Sequence, residues 1–364
     1  MKFSINQSEL QNALSVVSKG ISARASLPVL AGVYIKASQD TLILQTTNQT
    51  LSIKYTAAAL IEEEGETVIP GKLFLDIVKS LPDMAVTVEV DTIAATIACD
   101  NSHFQIKVLD PQDFPQFPQV EKEASITVPF DTFSSMVKQV GKAVSKDESR
   151  AILTGVLVCV EDQMLKMVAT DSYRLAVAQT SVDGLADFSV VITGSFMQDI
   201  ATLKKGEQDI VVSATDNQVV VEYNNITFIN RRIEGKYPNY KQLLPKAHAL
   251  RLEIPTEKLI GAVKRASILS TVSSSIKFSY DAEEEQLTVS GASQDIGSAE
   301  ESIAVEGAGD SMEIAFNCGY FLEGLMMIKT EKTVMELQSP LHPGIIKAQA
   351  EQDYLYLVMP VRIM

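Results

Sequence analysis

The chain has 364 residues, of which 46% are hydrophobic and 21% charged, proportions and length that suit a globular protein of two or three domains. No stretch reaches the roughly 18 to 20 apolar residues of a membrane span, and the start, "MKFSINQSEL", has no secretory apolar run, so a cytoplasmic protein is expected. Cys99, Cys159 and Cys318 lie far apart, which argues against a disulfide framework or a zinc site, and a net charge of −15 argues against a uniformly basic nucleic-acid binder without settling how charge is distributed.

In chain order, "FSINQSELQNALSVVSKG" (3–20) reads as a strand feeding an amphipathic helix, with Ile5, Leu10 and Leu14 spaced five then four apart. Alternating strands follow in "TLILQTTNQTLSIKYTAAA". "IPGKLFLDIVKSL", from 69, is a second strand and helix, and "MAVTVEVDTIAATIACDNSHFQIKVL" is rich in hairpins. Phe114-Pro115-Gln116-Phe117 then punctuates the chain. The order begins again with Val128, Phe133 and Val137, continues through "ITGSFMQDIATLKK" from 192, and closes on "EGKYPNY" (234–240). A third round runs from Ile254, Leu259 and Val263 through "FNCGYFLEGLMMIK" from 316 to the end. The offset is about 123 to 126 residues each time. Three repeats follow, 1–120, 121–247 and 248–364, each with two helices and roughly eight strands. The expected class is α+β, with helices on one side of antiparallel sheets. Ser8, Asp131 and Thr256 stand where helix caps are expected.

The predicted helical stretches, 7–24, 71–81, 130–150, 194–206, 256–268 and 319–332, together carry about +6, leaving about −21 elsewhere. Such segregation turns the helices toward a polyanion; the plainer reading is that Lys and Arg solvate helix faces. Two three-repeat arcs joined head to tail set twelve helices around a ring. With helices about 10 Å across, spaced near the wide end of 8–10 Å between axes, its circumference is roughly 110–120 Å and its bore about 25 Å, against roughly 20 Å for B-DNA. There is no phosphate loop, HExxH, GxSxG or Cys–His metal spacing, so no catalytic residue, metal or cofactor is expected. His103, His248 and His342 read as loop or surface residues, and Asp171 as a hairpin-turn residue. "DYLYLVMPVRIM" ends in a strand stopped by Pro360, followed by apolar residues. That terminus is either tucked into its own core or one wall of a peptide groove.

"ISARASLPVL" (21–30), "ATDSYRLAV" (169–177), "EGKYPNY", "IAFNCGYFLEGL" (314–325) and "LVMPVRIM" together resemble the bacterial replication sliding clamps, the β subunit of DNA polymerase III, from Met1 to the end. The resemblance implies a homodimeric ring around duplex DNA, without sequence preference and without enzyme activity. It implies a processivity factor of the DNA polymerase III holoenzyme, cytoplasmic and nucleoid-associated. Partners would be the polymerase α subunit, clamp-loader subunits, other polymerases and repair proteins, engaged through short linear peptides. The implied groove comprises Leu153, Thr170, Ser172, Tyr173, Arg174, Leu175, Pro238, Gln242 and Leu243, completed by Pro343, Leu357, Met359, Pro360, Val361 and Arg362. Apolar members take Leu and Phe anchors, while Arg174 or Arg362 bonds polar groups of the peptide. The implied dimer seam pairs Phe104 and Ile106 with Ile268 and Leu269. Arg24, Lys146 and Arg150 would lie closest to DNA, with Lys72, Lys138, Lys142, Lys204, Lys205, Lys264 and Arg265 as further helix cations. Three features depart from the family: Ser172 where Gly is common, Ala151 and Ile152 where some members carry aromatics, and Met364 beyond the usual ending. The rival readings are a repeat-built protein-interaction scaffold without DNA encirclement, and a carboxylate hydrolase for which no acid pair is evident.

Overall fold

Every helix is preceded by a strand that sets its apolar face, because the first buried residue of each trio lies in the strand and the next two on the helix. The structure, a computed structural model, describes residues 1–22, 27–182, 187–270, 274–293, 296–349 and 353–362. Among these the helices are α1 (Gln7–Val17), α2 (Gly71–Ser80), α3 (Phe130–Val140), α4 (Gly194–Ile200), α5 (Thr256–Ser267) and α6 (Cys318–Leu325). Ile5, Leu10 and Leu14, Val128, Phe133 and Val137, and Ile254, Leu259 and Val263 are all buried. Each such side chain contributes about 1.5–3 kcal/mol on leaving water. Helices this short draw their stability from that packing rather than from propensity.

The caps differ from expectation. Asn6 caps α1, its Oδ1 accepting from the Ser8 N–H at 3.0 Å. Asp131 and Thr256 lie inside their first turns. The buried Thr256 hydroxyl instead shares a 2.9 Å hydrogen bond with that of Thr333. Asn317 caps α6 by accepting from the Tyr320 N–H at 3.0 Å.

The helices are also shorter than their periodicity suggested, and this corrects the charge reading. They hold six acidic residues, one per helix (Glu9, Asp76, Asp131, Asp199, Glu257, Glu323), and six basic ones, so their net charge is zero rather than about +6. The remaining cations lie beyond helix ends. Lys142 sits in a 3-10 turn, Gly141–Ala143, and Arg150 in a second 3-10 segment, Glu148–Thr154. Lys146 lies between them, Lys204 and Lys205 follow α4, and Lys332 opens the strand Lys332–Leu337. The cause at α3 is a side-chain competitor. Gln198 Nε2 donates to the Gly141 carbonyl at 2.8 Å, satisfying an oxygen left over at the end of the helix.

Contacts divide the chain into two compact units rather than three: Met1–Asp131 with Leu203–Arg232, and Thr132–Thr202 with Ile233–Met364. The reason is that neighbouring repeats donate strands to common sheets. In the first unit an eight-stranded sheet runs in the order Ala124–Val128, Ile210–Ala214, Gln218–Tyr223, Ile226–Arg231, Leu51–Ala58, Thr41–Thr47, Gly32–Ser38, Gly65–Pro70. Its central join sets Phe228 opposite Ile53, across the boundary between the first two repeats. A five-stranded sheet in the same unit ends on the edge strand Ser102–Lys107. In the second unit a nine-stranded sheet joins Arg174–Ser181 to Tyr354–Val358, setting Arg174 opposite Val358 and Ala176 opposite Tyr356. A four-stranded sheet there ends on Gly297–Ala304 at one edge and Met312–Asn317 at the other. Among the described residues the strand pairs are antiparallel, for instance in the two joins.

The aromatic–proline phrases plug cores. Phe114 packs on Val29, Leu30 and Val68 and stacks on Tyr34 at 5.3 Å between centroids. Tyr237 and Tyr240 enter a cluster with Val168, Leu175, Val177, Val191 and Leu357. Cys99 and Cys159 are buried and Cys318 half-buried, all three as free thiols.

Candidate peptide groove and nucleic-acid interface

The strand Arg174–Ser181 alternates its side chains between two faces, so residues one apart in sequence do different things. Leu175 and Val177, with Leu357 from the paired strand, belong to the apolar cluster that Tyr237 and Tyr240 close. Pro238, Gln242 and Leu243 follow on the turn that carries those tyrosines. All three are exposed, Leu243 by half. Leu153, from the 3-10 segment, is buried, and its carbonyl accepts from the Ser145 N–H at 2.9 Å. A buried apolar cluster thus lies under a turn whose Pro238, Gln242 and Leu243 are exposed.

Arg174 lies on the other face, only 8% exposed. Its Nε donates to Asp171 Oδ2 at 3.0 Å, and its Nη1 to Glu323 and, at 3.3 Å, to the Tyr356 hydroxyl. The guanidinium also sits 4.3 Å over the Tyr320 ring. Burial opposes its charge, but Tyr356 and Glu323 more than offset this and hold its pKa above the usual value. Nε and Nη1 of Arg174 are thus engaged within the chain. Asp171 makes the turn, as expected. Its Oδ1 accepts from the Tyr173 and Arg174 N–H groups at 2.9 and 3.0 Å. The Thr170 hydroxyl donates to the Arg174 carbonyl at 2.7 Å and accepts from the Ser172 N–H at 3.1 Å.

The terminal segment is held by its backbone while its side chains stay out. The Met359 N–H donates to the Tyr173 carbonyl at 2.9 Å, the Val361 N–H to the Ala315 carbonyl at 2.8 Å, and Pro360 bridges Phe316. Met359, Val361 and Arg362 are exposed. Pro343, half-buried, precedes the strand Gly344–Ala348, whose Gly344 pairs with Val358. Ile363 and Met364 lie outside the described residues. The sequence reading missed Tyr320. Its ring lies 6.3 Å from that of Tyr173, which is 60% exposed. An aromatic in the first turn of α6 was the available signal, but only the fold brings it to the 171–174 turn.

The predicted nucleic-acid contacts fall into two sets. Lys72, Lys138, Lys142, Lys146, Lys204 and Lys264 are exposed, with no ion-pair partner among the described residues. Lys205 is paired with Asp131 and Arg265 with Glu301, so neither is a free cation. Arg24 lies outside the described residues. Arg150 is bonded to Asp147 and Ser172. In the second unit Lys138, Lys142 and Lys329 rim a cavity of about 460 Å³, lined also by Val137, Gln198, Ala201 and Met327 and by no acidic residue. The residues expected at a dimer seam are accessible: Phe104 is 37% and Ile268 67% exposed, and Ile106 and Leu269 are half-buried.

Comparison with known proteins agrees with this arrangement along the whole chain. Family models for the N-terminal, central and C-terminal domains of the DNA polymerase III beta subunit match residues 1–118, 127–239 and 241–362. The chain is 30% identical over 373 residues to the beta sliding clamp of Synechococcus elongatus, and 32% over 389 residues to that of Synechocystis sp., covering both chains fully in each case. The crystal structure of the Bacillus subtilis DNA polymerase sliding clamp superposes with a TM-score of 0.93 at 28% identity, again over the full length of both chains. That of the Thermotoga maritima beta subunit gives 0.92 at 25%, also at full coverage. With three successive clamp domains and full-length relatives, the chain belongs to the DNA polymerase III beta subunit family, the non-enzymatic sliding clamps of DNA replication.

Proposed function

We propose that two copies of this chain close into a ring that encloses duplex DNA and tethers the replicative polymerase to it. Three clamp domains, 1–120, 121–247 and 248–364, build each half. The observation that carries this reading is the full-length match to three successive clamp domains. The free cations Lys138, Lys142 and Lys146 support it: they meet phosphates through water, without reading bases. Such contacts are weak and salt-sensitive, so the barrier to sliding stays low and retention comes from enclosure. The groove around Leu175, Tyr173 and Met359 takes Leu and Phe anchors of short peptides from the polymerase α subunit, the clamp loader and other DNA-handling proteins. The protein works in the cytoplasm at the nucleoid.

The test is to load the protein with a clamp loader onto nicked circular and onto linear DNA at moderate salt. Enclosure predicts retention on the circle and loss from the free ends. Equal retention on both would overturn it in favour of an ordinary binding surface.

A further inference from the structure

Ser172 has φ 79°, a left-handed conformation that a residue with a Cβ adopts only at a cost. Its hydroxyl oxygen accepts a hydrogen bond from Arg150 Nη1 at 2.9 Å. Arg150 lies twenty-two residues earlier, at a kink in the 3-10 segment (φ −113°, ψ 63°). Its Nε is held by Asp147 Oδ2 at 2.9 Å, and no bond is made by its Nη2 among the described residues. The side chain is 43% exposed. On the far side of Ser172, the Tyr173 carbonyl receives the Met359 N–H at 2.9 Å. One continuous set of bonds thus runs from Arg150 through the 171–174 turn to the terminal segment that walls the groove.

We propose that Arg150 is a positioning residue for the peptide groove, acting through Ser172, and that a nucleic-acid phosphate competes with Ser172 for its guanidinium. The inference rests on the groove reading above. A phosphate takes the guanidinium as an ion-to-ion, bidentate contact, which a single bond to a neutral hydroxyl does not match, and an exposed pair such as Arg150 with Asp147 opposes the exchange by little. Phosphate capture frees the turn that presents Tyr173, which is tied to Met359. By linkage, peptide bound in the groove disfavours phosphate at Arg150 by the same factor. A clamp engaged with DNA at this corner therefore releases its partner peptide more readily than a clamp whose DNA lies elsewhere.

The test measures anisotropy of a fluorescein-labelled pentapeptide, with two Leu and a C-terminal Phe as anchors, titrated with the full-length protein at low salt. Ser172→Gly removes the acceptor and relieves the backbone, so folding is not at risk. Both Ser172→Gly and Arg150→Ala are expected to weaken peptide binding about 2- to 5-fold, the worth of one ordering hydrogen bond. Arg150→Lys restores part of it. A short blunt duplex added to the wild type is expected to weaken peptide binding by a similar factor, and to have no such effect on Ser172→Gly. Unchanged peptide affinity in Ser172→Gly and Arg150→Ala, no duplex effect on the wild type, or an equal one on Ser172→Gly, would overturn the proposal while leaving the groove standing. No peptide binding by the wild type would remove the groove reading itself, and the proposal with it.

Discussion

Arg174 shows how little a residue's type says about its task. It stands in a groove motif beside Leu175, and the two-residue period of its strand turns it to the opposite face. There its charge is held by Glu323, Asp171 and the Tyr320 ring. The packing at that place is close enough to test. Gly324, in α6, has space for no side chain: a Cβ there would fall 2.2 Å from Tyr356 Cδ1. The Tyr356 ring cannot move aside freely, because its hydroxyl donates to the Tyr320 carbonyl at 3.0 Å and receives Arg174. Gly324→Ala is therefore expected to destabilise the protein by about 1–3 kcal/mol, the usual cost of overpacking. Urea denaturation reads this directly, and an unchanged midpoint would show that the helix shifts at no cost. Asp171 and Ser172 illustrate the two kinds of legibility. Asp-Ser in a hairpin announces a turn, whereas the Arg150 bond depends on a residue that no local pattern connects to it.

At the scale of elements, apolar spacing located all six helices but overran their ends. Periodicity reports where a face continues, while a helix stops where its terminal carbonyls find other partners, as Gly141 does in Gln198. The error mattered, since it assigned to helices the cations that lie in turns. Edge strands are the second lesson. Ser102–Lys107 has a strand neighbour on one side only among the described residues and carries His103, exposed Phe104 and Lys107. Gly297–Ala304, at an edge of the four-stranded sheet, carries Glu300 and Glu301. Complementary edges of this kind are templates for pairing between copies. Replacing Phe104 and Ile106 together by Asp puts two carboxylates in the apolar seam expected with Ile268 and Leu269, so the protein is expected to run as a monomer in light scattering. A mass still equal to two chains would place the seam elsewhere.

For the whole molecule, the repeats are units of sequence but not of contact. The strand Leu51–Ala58 of the first repeat takes Ile226–Arg231 of the second as its neighbour, and Leu51, Ile53 and Tyr55 are buried. A fragment of residues 1–120 uncovers that edge. It is expected to aggregate or to unfold at distinctly lower urea than the full chain, followed by light scattering and circular dichroism. A monomeric fragment with the midpoint of the full protein would show that the shared sheets add nothing. The threefold repeat, the strand-to-helix order and the buried trios from Ile5, Val128 and Ile254 were determined by the sequence alone, because periodicity is a local property that each segment carries with it. The cross-repeat sheets, the inward face of Arg174, the arrival of Tyr320 beside Tyr173 and the bond from Arg150 to Ser172 were decided only by the tertiary structure. Each depends on strand register and on hydrogen bonds between residues distant along the chain, which no spacing within a segment encodes.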